Sequence, residues 1–401
     1  MLRLAVFSTL FPNAANPAHG VFVEERLRKL VATGQVEARV VAPVPWFPFR
    51  SERFGEYGRH ARAPRREVRH GLDVQHPRYL LLPRVGMTSA PSALVRAALP
   101  VLRRMRAEGF DFDAIDAHYF YPDGVAAAEL ARRLDVPFVV TARGSDVTLL
   151  PRYEFPRRMI LSAAREAAGI VTVCKALKDG LVDLGVDGGK VTVLRNGVDL
   201  ERFRPVAREA TRRELKLEGR VLLSVGWLIT RKRHDLAISA LAELPDCRLL
   251  IIGTGPEEGA LRALARQLGV EARVTFLGHV PQAELYRYYG AADVMLLCSE
   301  REGWANVLLE SMACGTPVAA TNAGGTAEVV AAPEAGVVIR EHSPRAVSEA
   351  VRGLLAACPA REATRRYAEQ FSWDETTQGQ LRVFRAALAG GVNVAARAAR
   401  A

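Results

Sequence analysis

The sequence has few cysteines and no long hydrophobic run, and each absence excludes a class of protein. Its five cysteines are odd in number and widely separated: Cys174, Cys247, Cys298, Cys314 and Cys358. This pattern argues against a disulfide framework or a zinc site and indicates reduced thiols in a cytoplasmic protein. No apolar stretch approaches the roughly 18 residues that a transmembrane helix requires, so we expect no membrane span.

The composition is otherwise that of a globular protein. Of the 401 residues, 49% are apolar and 25% are charged, and the length corresponds to two or three domains. The first residues, one basic and then a short apolar stretch, superficially resemble a signal peptide. We interpret them instead as a strand from Leu2 to Thr9 that opens a Rossmann-like domain, because a loop ending at Gly20 and a segment with helical spacing follow.

The net charge of +11 is concentrated near the N-terminus. Residues 1–110 contain 18 basic and 8 acidic side chains, and seven arginines lie between Arg50 and Arg69. Such a patch suits an anionic partner: a phospholipid surface, a polyprenyl diphosphate or nucleic acid. A solvated, arginine-rich loop would give the same pattern, so both interpretations stay open.

The most informative stretch lies between Asp293 and Gly315. Its apolar start predicts a strand buried in a parallel sheet, followed by a polar loop and a helix that begins near Asn306. Ligands bind at the carboxyl ends of such strands, and the free N–H groups of a helix start attract anions, here a diphosphate. Glu302 and Glu310 flank this loop, and carboxylates accept hydrogen bonds from the paired hydroxyls of a sugar or ribose.

The string Glu-Gly-Trp-Ala-Asn-Val-Leu-Leu-Glu-Ser-Met-Ala-Cys-Gly-Thr-Pro-Val, from Glu302 to Val318, resembles the signature of family four retaining glycosyltransferases. The resemblance covers most of the chain and is strongest from 191 to 330. It implies an α/β protein of the GT-B fold, with two Rossmann-like, doubly wound parallel-sheet domains facing a cleft. Residues 1–199 would form an N-terminal acceptor domain, joined by a C-terminal helix at about 374–390 that crosses back. Residues 200–373 would form the nucleotide-sugar donor domain.

The resemblance also implies roles for individual residues. Glu302 would hold hydroxyls of the transferred sugar, and Glu310 the ribose of the donor. Lys232 would neutralise the leaving diphosphate, His118 would border the anomeric carbon, and Gly20 would lie against the diphosphate. The backbone amides around the loop would bind the same diphosphate, and they belong to Gly303, Trp304, Ala305, Asn306 and Val307.

The sequence departs from the family pattern at three positions. Trp227 stands where the family has an arginine, Arg233 where it has a glycine, and Arg143 where it often has a histidine. Arg231 is the candidate for the missing guanidinium, and the role of Asp146 in the Arg143-Gly-Ser-Asp146 string is open.

We expect no metal site in this chain. Asp111-Phe-Asp113 spells a metal–diphosphate signal of a different glycosyltransferase fold, but it precedes its strand instead of following it.

Taken with the resemblance, the sequence predicts a retaining, metal-independent hexosyltransferase that uses no cofactor. The donor would be a nucleoside diphosphate sugar of the UDP or GDP type, and the acceptor a glycan or polyprenyl-diphosphate-linked hydroxyl in exopolysaccharide or cell-envelope glycan synthesis. The protein would be cytoplasmic and peripheral at the inner face of the plasma membrane, touching anionic lipid through Arg50–Arg69. No nucleic-acid partner is expected.

Three alternatives remain at this stage. A nucleotide-sugar epimerase or hydrolase on the same architecture would convert the donor without an acceptor. A basic module for membrane or nucleic acid would bind in a salt-dependent way without turnover. An NAD enzyme is disfavoured, because the glycines from Gly253 to Gly259 do not have the dinucleotide-binding spacing.

Overall fold

The structure, a computed structural model, describes residues 1–81 and 86–390. These residues form two compact units. Unit 1 comprises Met1–Leu194 together with the segment from Asp374, and unit 2 comprises Arg195–Trp373. The division expected from the sequence, between 199 and 200, therefore lies inside unit 2.

Unit 1 contains an eight-stranded sheet with the strand order β10-β9-β8-β7-β1-β2-β5-β4, and a two-stranded sheet of β3 and β6. All neighbouring strands are parallel except β4 and β5. The strands of unit 1 are β1 (Leu2–Phe7), β2 (Val36–Val41), β3 (Val44–Pro45), β4 (Arg66–Arg69), β5 (Leu72–Gln75), β6 (Arg78–Tyr79), β7 (Ala114–His118), β8 (Phe138–Ala142), β9 (Gly169–Thr172) and β10 (Val191–Val193).

The helices of unit 1 follow its parallel strands as crossover connections. They are α1 (Val21–Val31), α2 (Gly55–Arg62), α3 (Gly86–Ala107), α4 (Val125–Leu134), α5 (Ser145–Thr148), α6 (Glu154–Glu166) and α7 (Lys175–Asp183). Every residue of β7 and β8 is buried, as expected for parallel strands covered on both faces.

Unit 2 contains a six-stranded parallel sheet with the order β13-β12-β11-β14-β15-β16. Its strands are β11 (Arg220–Val225), β12 (Cys247–Ile252), β13 (Val274–Gly278), β14 (Val294–Leu297), β15 (Val318–Thr321) and β16 (Gly336–Ile339). Its helices are α8 (Arg208–Glu214), α9 (His234–Leu241), α10 (Glu258–Gln267), α11 (Leu285–Ala291), α12 (Asn306–Ala313), α13 (Thr326–Val329), α14 (Pro344–Ala356) and α15 (Arg361–Glu369).

Both sheets are doubly wound, so each has a point where the strand order reverses. In unit 1 this point lies between β1 and β7, and in unit 2 between β11 and β14. Loops leaving adjacent strands at such a point diverge to opposite faces of the sheet and leave a crevice where ligands bind. The predicted α/β class with two doubly wound sheets is confirmed.

The segment between β2 and α3 differs from its predicted form. We expected an aromatic, proline-rich loop running into an arginine-rich loop. Instead β3 pairs with β6, α2 forms between them, and β4 adds an antiparallel strand at the sheet edge. The sequence pattern failed here because β3 and β6 are only two residues long and pair distant positions, Val44 with Arg78, while β4 is a short strand in a hairpin with β5.

The last helix, α16 (Trp373–Gly390), returns to unit 1. Its side chains Leu381, Phe384 and Ala387 are buried against Leu4 of β1 and Ala114 of β7. The expected crossing of the C-terminal helix is therefore part of the unit 1 core. Within the described residues, no helix combines the length and the apolar character needed to cross a lipid bilayer.

This packing predicts that Phe384→Ala destabilises unit 1, although residue 384 is far in sequence from the rest of that unit. Removing a fully buried phenylalanine should lower the free energy of unfolding of unit 1 by about 3–5 kcal/mol. The exposed neighbour Arg382 provides the control, since Arg382→Ala should change it by less than about 0.5 kcal/mol. Urea unfolding measures both, and equal effects of the two substitutions would contradict the assignment of α16 to this core.

Candidate functional site

The predicted strand, loop and helix around Glu302 are present in unit 2. β14 ends at Leu297, the loop follows, and α12 begins at Asn306. The residue before this helix is Ala305, whose side chain has no oxygen that could accept from the first N–H groups. The amino end of α12 therefore presents backbone donors and the positive end of the helix dipole at the carboxyl edge of the sheet.

Loops from neighbouring strands pack closely at this edge. Gly325 N donates to Gly303 O at 3.1 Å, which ties the loop after β15 to the loop after β14. Gly324 has a φ of +54°, and a Cβ atom there would overlap the carbonyl oxygen of Glu302. Only glycine fits this close approach of two backbones, which explains the glycine at 324.

Lys232 and Glu302 form the central ion pair of the site. Lys232 lies at the end of the short helical turn Thr230–Lys232 after β11, and its Nζ is 2.6 Å from Oε1 of Glu302. The two side chains are only 16% and 8% exposed. Burial alone would raise the pKa of Glu302, but the Lys232 ammonium, helped by Ser299 and Arg231, lowers it below its usual value. Glu302 is therefore ionised and acts as a hydrogen-bond acceptor.

Arg231 joins the same two loops through backbone contacts. Its Nη1 donates to Arg301 O at 3.2 Å, and its own carbonyl accepts from Glu300 N at 2.9 Å. The guanidinium thus lies beside the Lys232–Glu302 pair and contributes to the low pKa of Glu302. Trp227, at the family's arginine position, is 43% exposed.

Glu310 lies one turn into α12 and is held by a residue that the sequence analysis missed. Tyr289 of α11 is fully buried and donates its hydroxyl to Oε2 of Glu310 at 2.8 Å. Burial, followed by the charge of Glu310, raises the pKa of Tyr289 well above its ordinary value, so the phenol stays a donor. Its ring packs edge to face against Phe203, 6.0 Å between centroids.

The side chains of Trp304 and Asn306 serve the structure of unit 2. Trp304 is buried against Phe371, and Asn306 Oδ1 accepts from Asn196 Nδ2 at 3.1 Å. What these loop positions offer a ligand is therefore their backbone. The structure brings together, within unit 2, Arg231, Lys232, Glu302 and the loop from 303 to 307.

The remaining predicted residues, Gly20 and His118, lie in unit 1 at the ends of α1 and β7. Gly20 has a φ of +71°, and a Cβ atom there would overlap the Leu10 carbonyl, so the tight turn before α1 requires glycine. His118 is 1% exposed. Its Nδ1 lies 2.8 Å from Arg143 Nη2, and its Nε2 lies 3.2 Å from Asp116 Oδ2.

These contacts fix the protonation of His118. An arginine only donates, so Nδ1 must accept and Nε2 must carry the proton of the neutral ring. Asp116 lies within ion-pair distance of Nε2 but makes no hydrogen bond with it. Burial lowers the pKa of His118, and the positive charges of Arg143 and Arg26 lower it further against the opposing effect of Asp116. The imidazole is therefore neutral at physiological pH, with Nδ1 bonded to Arg143 inside unit 1.

Arg143 stays charged in this network although burial lowers its pKa to about 10. Its guanidinium also lies over the Phe22 ring, 5.2 Å from the centroid. Asp146 accepts from the backbone N–H groups of Phe120, Arg143 and Gly144, so it organises the loop after β8.

Asp123 is a second group that the sequence analysis missed. It is fully buried between the ends of β1 and β7 and accepts from both the N–H and the hydroxyl of Thr9 at 2.9 Å. Burial raises its pKa to about 7. No sequence motif includes this aspartate. Its burial depends on the loop around Thr9, which folds over it and could not be predicted from the sequence.

The Asp111-Phe-Asp113 string lies away from these edges. Asp113 accepts from Arg3 N at 2.8 Å and Asp111 pairs with Arg106 at 3.3 Å, both before β7 begins. Over residues 1–81 and 86–390, no cluster of three or more His, Cys, Asp and Glu side chains is arranged to hold a metal ion.

Two family models match adjacent parts of the chain. Residues 20–202 match "Glycosyltransferase Family 4", and residues 207–371 match "Glycosyl transferases group 1". The division between the two matches falls close to the boundary between units 1 and 2.

Curated relatives extend over nearly the whole chain. D-inositol 3-phosphate glycosyltransferase 1 of Catenulispora acidiphila is 30% identical over 430 residues, covering 97% of each chain. The putative teichuronic acid biosynthesis glycosyltransferase TuaC of Bacillus subtilis is 27% identical over 361 residues, covering 87% of this chain and 88% of TuaC.

Solved glycosyltransferases share the fold. Sucrose-phosphate synthase from Thermosynechococcus elongatus superposes with a TM-score of 0.78 at 19% identity, covering 97% of this chain and 100% of that one. HepE of Anabaena, in complex with UDP and glucose, superposes with a TM-score of 0.74 at 19% identity, covering 96% and 99%. These likenesses confirm the GT-B fold, and with the family matches they establish that the chain belongs to the group 1, family 4 glycosyltransferases.

Proposed function

We propose that the protein is a retaining, metal-independent glycosyltransferase that moves a sugar from a nucleoside diphosphate sugar to an acceptor hydroxyl. Unit 2 binds the donor and unit 1 binds the acceptor. The observation that carries this proposal is the Lys232–Glu302 ion pair beside the amino end of α12. It combines a cation for phosphate with an ionised acceptor for sugar hydroxyls at a single point of the sheet edge.

The diphosphate of the donor binds at the start of α12. The backbone N–H groups from Gly303 to Val307 donate to its oxygens, and the helix dipole favours its charge. Lys232 has three donors on its ammonium, so it keeps its bond to Glu302 and offers the others to the diphosphate. Arg231 adds a second positive charge beside it.

The two carboxylates bind the two remaining parts of the donor, the transferred sugar and the ribose. Glu302, ionised through Lys232, accepts from hydroxyls of the transferred sugar. Glu310 accepts from the ribose hydroxyls, with its orientation fixed by the hydrogen bond from Tyr289. The complexes of Anabaena HepE with UDP and with UDP-glucose support a UDP-type donor for this chain.

The chemistry is a front-face substitution that retains the anomeric configuration. Negative charge grows on the leaving diphosphate as the glycosidic bond breaks, and Lys232, Arg231 and the α12 amides stabilise it in place. The leaving phosphate accepts the proton of the attacking acceptor hydroxyl. Because one guanidinium group, one ammonium group and a helix dipole supply the positive charge, the step requires no metal ion.

In unit 1 we propose a positioning role for His118. Its Nδ1 accepts from the Arg143 guanidinium, so it orients that cation at the carboxyl ends of β7 and β8. The similarity to TuaC, a putative teichuronic acid biosynthesis glycosyltransferase, supports a cell-envelope polysaccharide or glycolipid as the product. Such an acceptor is made at the inner face of the plasma membrane, where a cytoplasmic, peripheral protein would act.

The donor site predicts stabilisation by one nucleoside diphosphate without metal. A thermal-shift screen of UDP, GDP, ADP and NAD in the presence of EDTA should give a rise in Tm with a single nucleoside diphosphate. Glu310→Gln should abolish the rise, and Tyr289→Phe should weaken binding by about five- to tenfold, the loss of one hydrogen bond to a charged group.

The exposed Glu284 supplies the control for that screen, since it lies one residue before α11 and Glu284→Gln leaves the Tyr289–Glu310 contact in place. Stabilisation by NAD alone, or equal binding by Glu310→Gln and the wild type, would exclude the proposed donor site.

The ion pair predicts a large effect of Lys232→Met on turnover. Losing the cation that faces the leaving diphosphate should lower kcat by about 10²–10³-fold, and Glu302→Gln should lower kcat/KM for the donor. Release of the nucleoside diphosphate, with a bacterial membrane extract as acceptor, measures both rates. The melting temperature of each variant separates lost chemistry from lost stability, because removing one buried charge leaves its partner unpaired.

Glu341→Gln, at an exposed position of unit 2, is the matched control and should keep wild-type turnover. Full transfer by Glu302→Gln would remove that residue from the mechanism.

The unit 1 network predicts the ionisation of His118. In ¹⁵N NMR spectra the ring should carry its proton on Nε2 and titrate below the ordinary pKa of about 6.5. Arg143→Met removes a positive charge and a hydrogen bond to Nδ1, so the pKa of His118 should rise relative to the wild type. The exposed Arg152→Met is the control. A pKa that stays unchanged in Arg143→Met would show that the two side chains do not interact.

A further inference from the structure

The segment from Trp46 to Arg65, which contains α2, carries aromatic side chains that pack on one another at the surface of unit 1. Phe47 lies at the centre, with ring centroids of Phe54 and Tyr57 at 5.4 and 5.3 Å. Phe49 stacks on Phe54 at 5.2 Å. We call this segment the aromatic lobe.

The packing leaves much of the apolar area in water. Trp46, Phe49 and Tyr57 remain 52%, 55% and 48% exposed. Trp46 N donates to Tyr79 O at 2.7 Å, which places the segment after Tyr79 beside the lobe. This segment begins with the exposed Leu80 and Leu81. Single exposed apolar residues are ordinary, but a contiguous group of this size marks an interaction surface.

The lobe is also positively charged. It contains five arginines and two glutamates, a net charge of +3. Arg62 pairs with Glu52 at 3.7 Å. Across the described part of the chain, no carboxylate lies within 4.0 Å of Arg50, Arg53 or Arg65. These three cations are therefore available to an anionic partner.

We propose that the aromatic lobe docks on an anionic phospholipid bilayer, with its rings in the headgroup region and its arginines on lipid phosphates. Tryptophan and tyrosine favour this interface because their rings are apolar and their edges polar. Arginines near an anionic surface add an attraction that salt weakens. Leu80 and Leu81 add aliphatic area that hydrocarbon accepts.

The ring geometry disfavours nucleic acid as the partner. Bases bind proteins by stacking on free aromatic faces. Here Phe49 and Phe54 cover each other, and the Arg53 guanidinium lies 4.8 Å from the Phe54 centroid. Neighbouring groups thus cover a face of each of these two rings, which leaves less of them free for a stacked base.

The position of the lobe gives the docking a consequence for the acceptor. The lobe follows the carboxyl end of β2, and Glu56 of α2 lies close enough to His19 to oppose the lowering of its pKa by burial. His19 immediately precedes Gly20 at the start of α1. If the proposed function holds, on which this last step rests, docking holds the carboxyl edge of unit 1 next to lipid headgroups, and the acceptor hydroxyl is carried by a lipid.

Vesicle sedimentation with the full chain tests the docking without donor or acceptor. We expect at least about tenfold tighter binding to vesicles of phosphatidylcholine with 30% phosphatidylglycerol than to phosphatidylcholine alone, lost in 0.5 M NaCl. The double variant Trp46→Ser, Phe49→Ser should bind about tenfold more weakly than the wild type.

The matched control is the double variant Tyr153→Ser, Phe155→Ser. These aromatic side chains lie in unit 1 with similar exposures of 50% and 47%, but outside the lobe, so this variant should bind like the wild type. Both pairs are exposed, and the melting temperature of each variant verifies folding. Equal losses in the two double variants, or equal binding to neutral and anionic vesicles, would overturn the proposal.

A second measurement locates the lobe in the bilayer. In a Trp227→Phe background, Trp304 and Trp373 are buried, so the emission that responds to solvent comes from Trp46. Lipids brominated on the acyl chain near the headgroup should quench this emission in anionic vesicles. Absence of quenching while the protein sediments would mean attachment through another surface. Tighter binding to a single-stranded oligonucleotide than to anionic vesicles would identify nucleic acid, not the bilayer, as the partner of the lobe.

Different experimental results would exclude the docking and the proposed function. Vesicle binding by a protein that no nucleoside diphosphate stabilises would leave the docking intact and remove the transferase mechanism. Donor binding and turnover with a soluble saccharide acceptor, without vesicle binding, would support the transferase mechanism and exclude the docking.

Discussion

Lys232 and Glu302 come from loops after two different strands, β11 and β14, and their 2.6 Å ion pair holds those loops at the point where the unit 2 sheet reverses its strand order. Both side chains are largely buried, so each charge depends on the other: a buried ion without its partner is destabilising by several kcal/mol. The pair also keeps Glu302 ionised where burial would favour its protonated form. Position, charge state and hydrogen-bonding capacity of the carboxylate therefore have one common cause.

Unit 1 uses the same principle with different residues. At the carboxyl ends of β7 and β8, beside the reversal point of its sheet, buried charges again compensate one another: Arg143 with Asp116 and Asp146 around a neutral His118. Arg143 replaces a histidine of the family pattern, so this chain places a permanent cation where its relatives often have a titratable ring. The two doubly wound sheets thus each place compensated buried charges at the edge where ligands bind.

Much of the fold and part of the site could be predicted from the sequence. The strand, loop and helix from Asp293 to Gly315 follow from an apolar run, a polar break and helix signals within 25 residues, and the carboxyl-edge rule then places Glu302 and Lys232 on the same side of the sheet. Tyr289 could not be predicted, because its contact with Glu310 depends on the rotation of α11 relative to α12. The folded form of the segment between β2 and α3 was missed for a related reason, since the two-residue strands β3 and β6 gain their pairing only from each other, far apart in sequence.

The return of α16 to unit 1 has a consequence for synthesis of the chain. The apolar side chains of α16 complete a core whose other parts are made before residue 195, while the whole of unit 2 is translated in between. At typical ribosomal rates the gap from residue 194 to residue 384 lasts roughly 10–40 s. During that time the nascent unit 1 exposes the groove that Phe384 will fill, whereas unit 2 is contiguous and can close its core first. Unit 1 can therefore complete its core only after α16 emerges, although most of unit 1 is synthesised first.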